Sequence, residues 1–377
     1  MQKIDEKLLK IVALEQKQCT YECIVYYADK KRFYDYLNKN NIKVIKDLSF
    51  INAVVVCFNS EKILNSSKQY FVSYISSVAD VSALVDVSKR IIKCDTTLLT
   101  GKNVTIAFID TGINSHIDFK LKNNRVLAFY DFVNGYNNNY DDNGHGTFVA
   151  GVATGSGLLS GKKYMGIAPN SNIISLKALN EKGEATAVTI LDAMQWVYDN
   201  HNKYNIKVVC MSFGSEPLGI NDPIMKGAEK LWLEGIVIVS AAGNSGPERQ
   251  TIKSPGVSKK IITVGGLDDN RDALGDYNEK NFKVADFSSR GPAFNRVKPD
   301  VIAPSVNITS CSHLGGYRQM SGTSVATPMV AGLCALIFEK YPNATPDQIK
   351  NFLLYNAKSI FKGKNAEGYG VVQFNLQ

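Results

Sequence analysis

The second part of the chain contains short, strongly apolar runs separated by helical patterns, and this alternation restricts the possible fold more than any other feature. The runs read VTIAFID, VLAFYDF, NIISLKAL, IKVVCMSFG, IVIVSAAGN and KIITVGG. Helical patterns lie between several of them, notably over 185–200 and 223–234. Apolar strands that alternate with helices predict an α/β fold with a mostly parallel sheet covered on both faces. Functional groups in such sheets gather at the carboxyl ends of the strands, where Asp110, Ser212 and Asn244 stand.

A second informative stretch, SGTSVATPMVAG over 321–332, is followed by an apolar run. The pattern predicts a tight turn that leads into a buried helix beginning near Ser324. The first backbone N–H groups of a helix have no internal partner and can stabilise an anion. Two interpretations follow: Ser324 is an N-cap that opens a packed helix, or it is a nucleophile whose developing charge is met by its own N–H.

Two further polar residues stand in glycine-rich turns. Asp110 closes an apolar strand and is followed by Thr-Gly, while His145 lies in NGHGTFVAGVATG and is one of four histidines. Taken alone, Asp110 fits a turn aspartate and His145 a structural polar residue. A serine hydroxyl, however, becomes a nucleophile when a neutral imidazole takes its proton and a buried carboxylate orients that imidazole. Asp110, His145 and Ser324 supply these three groups, in that order.

With these motifs the sequence resembles the subtilisin-like serine proteases. The aspartate, histidine and serine motifs of that family correspond to FIDTGINSHIDF, NGHGTFVAGVATG and SGTSVATPMVAG, and AAGNSGP, DFSSRGP, KPDVIAP and GYGVVQFN also match its pattern. The resemblance covers essentially all of 101–377. It implies a doubly wound, seven-stranded parallel sheet with helices on both faces, and hydrolysis of peptide bonds through an acyl-enzyme.

The resemblance also implies roles for individual residues. Asp110 would orient His145, His145 would act as general base and then acid, and Ser324 would attack the substrate. Asn244 would form the oxyanion hole together with the N–H of Ser324. This arrangement of donors stabilises the tetrahedral intermediate in the family.

Two segments are expected to bind substrate by the same resemblance. Ser212, Phe213 and Gly214 would form a strand edge that pairs with the substrate backbone. Ala242 and Gly243 would wall the pocket for the side chain that precedes the scissile bond.

The first part of the chain has a different pattern. Residues 1–18 predict an amphipathic helical extension, and 19–84 predict a strand, helix, strand, strand, helix, strand order typical of a small ferredoxin-like α+β domain. This order resembles the inhibitory propeptide of subtilisin-like proteases, which lies in the cleft of its own catalytic domain. The catalytic domain is then expected over 85–377, and the protein is expected to be a self-processing zymogen.

The expected processing point is the bond between Leu84 and Val85. A leucine at this position indicates an apolar pocket for the residue before the scissile bond. Lys253, in TIKSPG, suggests the opposite, because alignment with the family places it near the base of that pocket, where a cation would favour acidic side chains. An apolar preference is predicted, with a surface position for Lys253 as the alternative.

Two other functions are compatible with the same sequence. One is a dedicated processing protease for a single peptide or protein partner. Another is a catalytically silent binding module on the same fold, which would be expected to lack a triad residue. The net charge of +8 is spread along the chain, so no nucleic-acid partner is predicted.

Composition predicts the compartment. No apolar run reaches the roughly 18 residues that a transmembrane helix needs, so no membrane partner is expected. The N-terminal residues do not resemble a secretory signal. Seven cysteines without CxxC pairing indicate free thiols and a reducing compartment. A cytoplasmic protein is predicted, and the alternative is a secreted protein whose signal has been removed.

No cofactor is predicted for catalysis. Asp118 matches an aspartate that often binds a structural calcium ion in the family, but the companion loop reads GSGLLSGKKY. Two lysines and no acidic residue are a poor environment for a cation that takes six or more oxygen ligands. Asp118 is therefore the candidate calcium ligand, but its loop does not favour the ion, and no metal site is predicted.

Overall fold

The chain divides into two compact units, Met1–Ser82 and Ala83–Gln377. The computed structural model describes residues 3–5, 8–9, 12, 20–77, 87–120, 124–272 and 275–375. The predicted processing residues Leu84 and Val85 lie outside the described residues, so the boundary after Leu84 stays a prediction.

The first unit is an antiparallel sheet with two helices. Its elements are β1 (Thr20–Tyr27), α1 (Lys30–Lys39), β2 (Val44–Leu48), β3 (Ala53–Asn59), α2 (Ser60–Ser67) and β4 (Val72–Ser77). The strands lie in the order β2-β3-β1-β4, which is the ferredoxin-like arrangement predicted from the sequence. Asp29 and Asn59 cap the two helices, since each side chain accepts a hydrogen bond from the first turn.

The predicted N-terminal extension contributes to the core of this unit. Ile4 bridges Ile75 of β4, and both Ile4 and Leu8 are buried within the same apolar cluster. The backbone N–H of Ser77 also donates to the carboxylate of Asp5. The described part of 1–18 is therefore packed on the small domain.

The second unit is an α/β domain. Its elements are α3 (Val87–Ile91), β5 (Thr105–Asp110), β6 (Val126–Asp131), α4 (His145–Thr154), β7 (Asn172–Lys177), α5 (Ala187–Tyr204), β8 (Ile206–Met211), α6 (Pro223–Leu233), β9 (Val237–Ala241), β10 (Ile262–Asp268), β11 (Lys283–Val284), β12 (Val301–Pro304), β13 (Ile308–Cys311), β14 (Tyr317–Met320), α7 (Thr323–Lys340), α8 (Pro346–Asn356) and α9 (Lys364–Glu367).

The central sheet follows the order β6-β7-β5-β8-β9-β10, with β12 also paired to β10. These seven strands are mutually parallel, as the sequence predicts. The two-residue strand β11 was not predicted from the sequence, and it adds an antiparallel partner to β10. All six residues of β5 are buried, which is typical of a parallel strand covered on both faces.

Helix α7 lies in the core of this domain. Nearly all of its side chains are buried, so it is apolar around its whole circumference rather than on one stripe. It begins at Thr323 after Gly322, and no side chain caps it. The N-cap interpretation of Ser324 is therefore wrong, because Ser324 is the second residue of the helix.

Candidate active site

Asp110 is the last residue of β5, with β7 and β8 as its neighbouring strands. Its side chain is only 2% exposed. One carboxylate oxygen accepts a hydrogen bond from the Thr111 N–H at 2.7 Å. Gly112 follows with a φ of +101°, and a Cβ there would lie 2.1 Å from the carbonyl oxygen of Tyr140. The turn after β5 therefore requires glycine and holds the carboxylate at the edge of the sheet.

His145 is the first residue of α4 and its imidazole is bonded to Asp110. Its Nδ1 lies 2.7 Å from Asp110 Oδ1, and its side chain is 20% exposed. Burial opposes protonation of the imidazole, but the negative charges of Asp110 and Asp141 outweigh burial. The pKa of His145 therefore lies above its ordinary value of 6.5. In this pair the Nδ1 of the imidazole is hydrogen-bonded to a buried carboxylate. The other ring nitrogen, Nε2, can then accept or donate a proton.

Asp141 holds the loop that carries the histidine, a role that no sequence pattern predicted. Its carboxylate accepts hydrogen bonds from the Gly144 N–H at 2.7 Å, the Thr147 N–H at 2.9 Å and the Thr111 hydroxyl at 2.8 Å. One buried carboxylate thus joins the turn after Asp110 to the first turn of α4. Asp141 thereby holds the segment that carries Asp110 and the segment that carries His145 in place relative to each other.

A fully buried cation supports the same region. Lys177, the last residue of β7, donates to the carbonyl oxygen of Thr111 at 2.8 Å and to that of Leu179 at 3.0 Å. It also forms an ion pair with Asp142 at 2.6 Å. A buried ammonium needs such partners, and here they immobilise both loops beside the pair.

Ser324 and Asn244 both lie close to Gly322. A Cβ built on Gly322 would lie 3.1 Å from Ser324 Oγ and 3.3 Å from Asn244 Nδ2. Asn244 follows β9, and its Oδ1 accepts hydrogen bonds from the Thr323 N–H at 2.9 Å and the Thr323 hydroxyl at 3.0 Å. Because its oxygen is held by Thr323, the amide nitrogen of Asn244 is left as a donor on the side of the serine.

The residues predicted to bind substrate form two facing segments. Ser212, Phe213 and Gly214 follow β8, and Ala242 and Gly243 follow β9. Ser212 and Ala242 are buried, whereas Gly214 is exposed. Since β8 and β9 are adjacent parallel strands, both segments emerge at the same edge of the sheet as Asp110.

A cleft of about 490 Å³ opens beside the first of these segments. It is lined partly by Phe213, Gly214, Leu179, Ile190 and Leu218. The lining also includes Glu184, Glu216 and Asp222, so the cleft combines apolar side chains with carboxylates.

Comparisons with known proteins identify the family. The model of the subtilase family matches residues 101–371. The chain belongs to the subtilase family. Serine protease AprX of Bacillus subtilis (strain 168) is 40% identical to this subtilase over 335 residues, which span 83% of this chain and 74% of that protein. Subtilisin DY of Bacillus licheniformis is 35% identical over 263 residues, or 69% of this chain and 85% of that protein.

Solved structures give the same result. Sphericase is 30% identical to the subtilase with a TM-score of 0.66, and the match covers 79% of this chain and 100% of that one. A psychrophilic protease, S41, is also 30% identical, with a TM-score of 0.67 and the same coverage. The subtilase is a subtilisin-type serine endopeptidase, and peptides or proteins are its substrates. Among its described residues, no helix is both long and apolar enough to cross a membrane.

The aspartate that matches a calcium ligand of the family is surrounded by donors. The carboxylate of Asp118 accepts hydrogen bonds from the backbone N–H groups of Gly157 at 3.1 Å and Leu159 at 3.0 Å, and from the Tyr317 hydroxyl at 2.8 Å. The Cys311 thiol also points at it, at 3.7 Å. Burial first, and then the charge of Asp118, raise the pKa of both Tyr317 and Cys311, so both stay protonated.

His116 lies in the same buried cluster, and possible ligand atoms of His116, Asp118 and Cys311 fall within 4.8 Å of one another. The two ring nitrogens of His116 are already used, since Nδ1 accepts from the Asp118 N–H and Nε2 faces the Gly316 carbonyl. The Asp118 carboxylate itself accepts hydrogen bonds from several donors. A bound cation would need oxygen lone pairs where these donors lie, so the arrangement does not fit a cation.

Proposed function

We propose that Asp110, His145 and Ser324 form the catalytic triad of this endopeptidase. Ser324 Oγ attacks the carbonyl carbon of the scissile bond while His145 Nε2 takes its proton. His145 then gives that proton to the leaving amine, which breaks the C–N bond and leaves an acyl-enzyme. Water attacks the ester by the same steps and restores the serine. Asp110 holds the imidazole and stabilises its charged form.

Asn244 and the backbone N–H of Ser324 are the proposed donors to the tetrahedral oxyanion. Thr323 anchors the oxygen of the Asn244 amide, which leaves Nδ2 as the donor near Ser324. The N–H of Ser324 lies in the first turn of α7, where backbone donors have no helical partner. Both donors are fixed before the substrate arrives, and this preorganisation is what stabilises developing charge.

The segments after β8 and β9 are the proposed substrate-binding surface. Ser212, Phe213 and Gly214 would pair with the substrate backbone as an added strand. Ala242 and Gly243 would form the opposite wall of the pocket for the side chain before the scissile bond. Their positions beside Asn244 would bring the scissile carbonyl to the nucleophile.

The 2.7 Å bond between His145 and Asp110 is the observation that carries this proposal, and labelling tests it. A fluorophosphonate probe reacts with a serine that is activated by a neighbouring base. We expect stoichiometric labelling, with the modified peptide containing Ser324, after brief limited proteolysis if not before. Absence of labelling in both states would contradict the triad and favour a catalytically silent binding module.

The first unit is the proposed propeptide. It folds around its own apolar core and lies outside the part that matches the family model, which begins at residue 101. We propose that it inhibits and assists folding of the catalytic domain, and that the chain cleaves itself near the bond between Leu84 and Val85. The protein would then be made as a zymogen.

A reducing, cytoplasmic location is also proposed. In the described part of the chain, Cys23, Cys57, Cys210, Cys311 and Cys334 are free thiols, and all of them except Cys57 are buried. Buried thiols kept as small apolar side chains suit a compartment that does not oxidise them.

We further propose that Asp118 needs no calcium, because protein donors satisfy its carboxylate. In an inactive Ser324→Ala background, which prevents self-digestion, excess EDTA should leave the melting temperature unchanged. Asp118→Ala should lower the free energy of unfolding by about 2–3 kcal/mol, because several buried donors lose a charged acceptor. Differential scanning calorimetry with and without EDTA measures both effects. A drop in melting temperature with EDTA that Ca²⁺ reverses, and that Asp118→Ala abolishes, would contradict the proposal.

A further inference from the structure

Lys253 connects the two segments proposed to wall the substrate pocket. Its backbone N–H donates to the carbonyl oxygen of Ala242 at 2.9 Å. The next residue, Ser254, exchanges two backbone hydrogen bonds with Ser215, at 2.9 and 3.0 Å. Lys253 therefore spans the space between the segment after β9 and the segment after β8, and forms the floor between them.

The aliphatic part of the Lys253 side chain packs against both walls. A Cβ built on Gly214 would lie 2.6 Å from Lys253 Cβ, and one built on Gly243 would lie 2.5 Å from Lys253 Cγ. Both walls are therefore glycine where they meet Lys253. The Lys253 side chain is only 18% exposed, so most of it is covered between these two segments.

The protein's own partner for this cation is Glu216, which forms an ion pair with it. The Glu216 side chain is 80% exposed, so water screens its charge and the pair stabilises the protein little. The nearby carboxylate of Asp222 is engaged by the Ser254 hydroxyl and the N–H groups of Leu218 and Met225. The ammonium of Lys253 is thus paired with an exposed carboxylate, which a second carboxylate can displace.

We propose that Lys253 makes this endopeptidase selective for an acidic side chain immediately before the scissile bond of a separate substrate, where Leu84 suggested an apolar preference. A single intramolecular cut near Leu84 does not need this contact, because a tethered bond is present at high effective concentration. The substrate carboxylate displaces Glu216 from Lys253 and occupies a less solvated position, where the attraction is stronger. The inference rests on the proposed substrate pocket and names its substrate class.

Paired peptides that differ only in Glu or Gln before the scissile bond isolate the effect of charge from that of shape. We expect wild type to prefer the Glu peptide about tenfold in kcat/KM, which corresponds to about 1.4 kcal/mol. Glu216→Gln should raise this ratio about threefold, because it removes the competing carboxylate. Lys253→Met, which keeps the aliphatic chain, should bring the ratio to one or below, and Lys253→Arg should retain it.

Three controls separate the possible outcomes. Lys102→Met removes an exposed cation elsewhere and should leave the ratio unchanged. Fluorophosphonate titration of Ser324 gives the active fraction of each variant, so poor folding does not alter the ratio. A wild-type ratio near one, or a ratio that Lys253→Met leaves unchanged, overturns the inference while hydrolysis of the Gln peptide still supports the proposed function. No hydrolysis of either peptide and no labelling would overturn both.

Discussion

Ser324→Ala will lower kcat for peptide hydrolysis by about 10⁶-fold, the loss known for removal of the nucleophile from subtilisin itself. The change removes the Oγ that attacks the carbonyl and leaves His145 without a proton to accept. Residual turnover would come from the Asn244 amide and from substrate binding, which still favour attack by water. Purified variants are compared on one peptide substrate, with rates divided by the concentration of folded protein.

Ser321→Ala is the matched control, because it removes an exposed hydroxyl three residues earlier and should change kcat by no more than about twofold. Intact mass gives a second readout from the same samples. Wild type should shorten at a bond near Leu84, whereas Ser324→Ala should keep its full length. Equal shortening of both proteins would mean that another protease makes the cut and would contradict self-processing.

The ends of the parallel strands could be predicted from the sequence because the signals are local. The run TIAFID is buried at all six positions, and it ends in the single carboxylate of Asp110. In the same way, Ser212 follows the apolar run of β8 and Asn244 follows that of β9. These residues lie at one edge of the sheet because neighbouring parallel strands end together.

The groups that fix these residues could not be predicted, because their partners are distant in sequence. Thr323 holds Asn244 from 79 residues away, and Thr111 binds Asp141 from 30 residues away. In the sequence, Lys177 is part of an apolar strand. Its role as a shared hydrogen-bond donor to three loops is visible only in the folded structure. Such contacts depend on tertiary packing, and neither propensity nor periodicity reports it.

The start of α7 was predicted near Ser324, and two roles were left open for that serine. Serine is a preferred N-cap, so the local pattern did not separate a cap from a nucleophile. The structure places Gly322 at the cap, with a φ of +149° that favours glycine, and both Ser324 Oγ and Asn244 Nδ2 lie close to this glycine. A helix start without a side-chain cap exposes its N–H groups, and this is the geometry that binding an oxyanion needs.

Asp110→Asn will lower kcat by about 10⁴-fold, because the neutral amide neither selects the productive imidazole tautomer nor stabilises the imidazolium. It will also move the pH profile. In wild type, burial opposes the charged form of His145, but Asp110 and Asp141 raise its pKa above 6.5. The base acts when neutral, so wild-type kcat/KM should fall as the pH drops through a value above 6.5. In Asp110→Asn the main raising charge is gone, and this acid limb should move to lower pH.

Arg318→Met supplies a control of opposite sign. The positive charge of Arg318, whose guanidinium lies 5.9 Å above the Phe148 ring, lowers the pKa of His145. Its removal should therefore move the acid limb to higher pH. A merely structural loss in Asp110→Asn would reduce activity equally at every pH, whereas loss of a charge beside the base must move the midpoint. If the acid limb of the kcat/KM profile does not move in either variant, a group other than His145 sets the pH dependence.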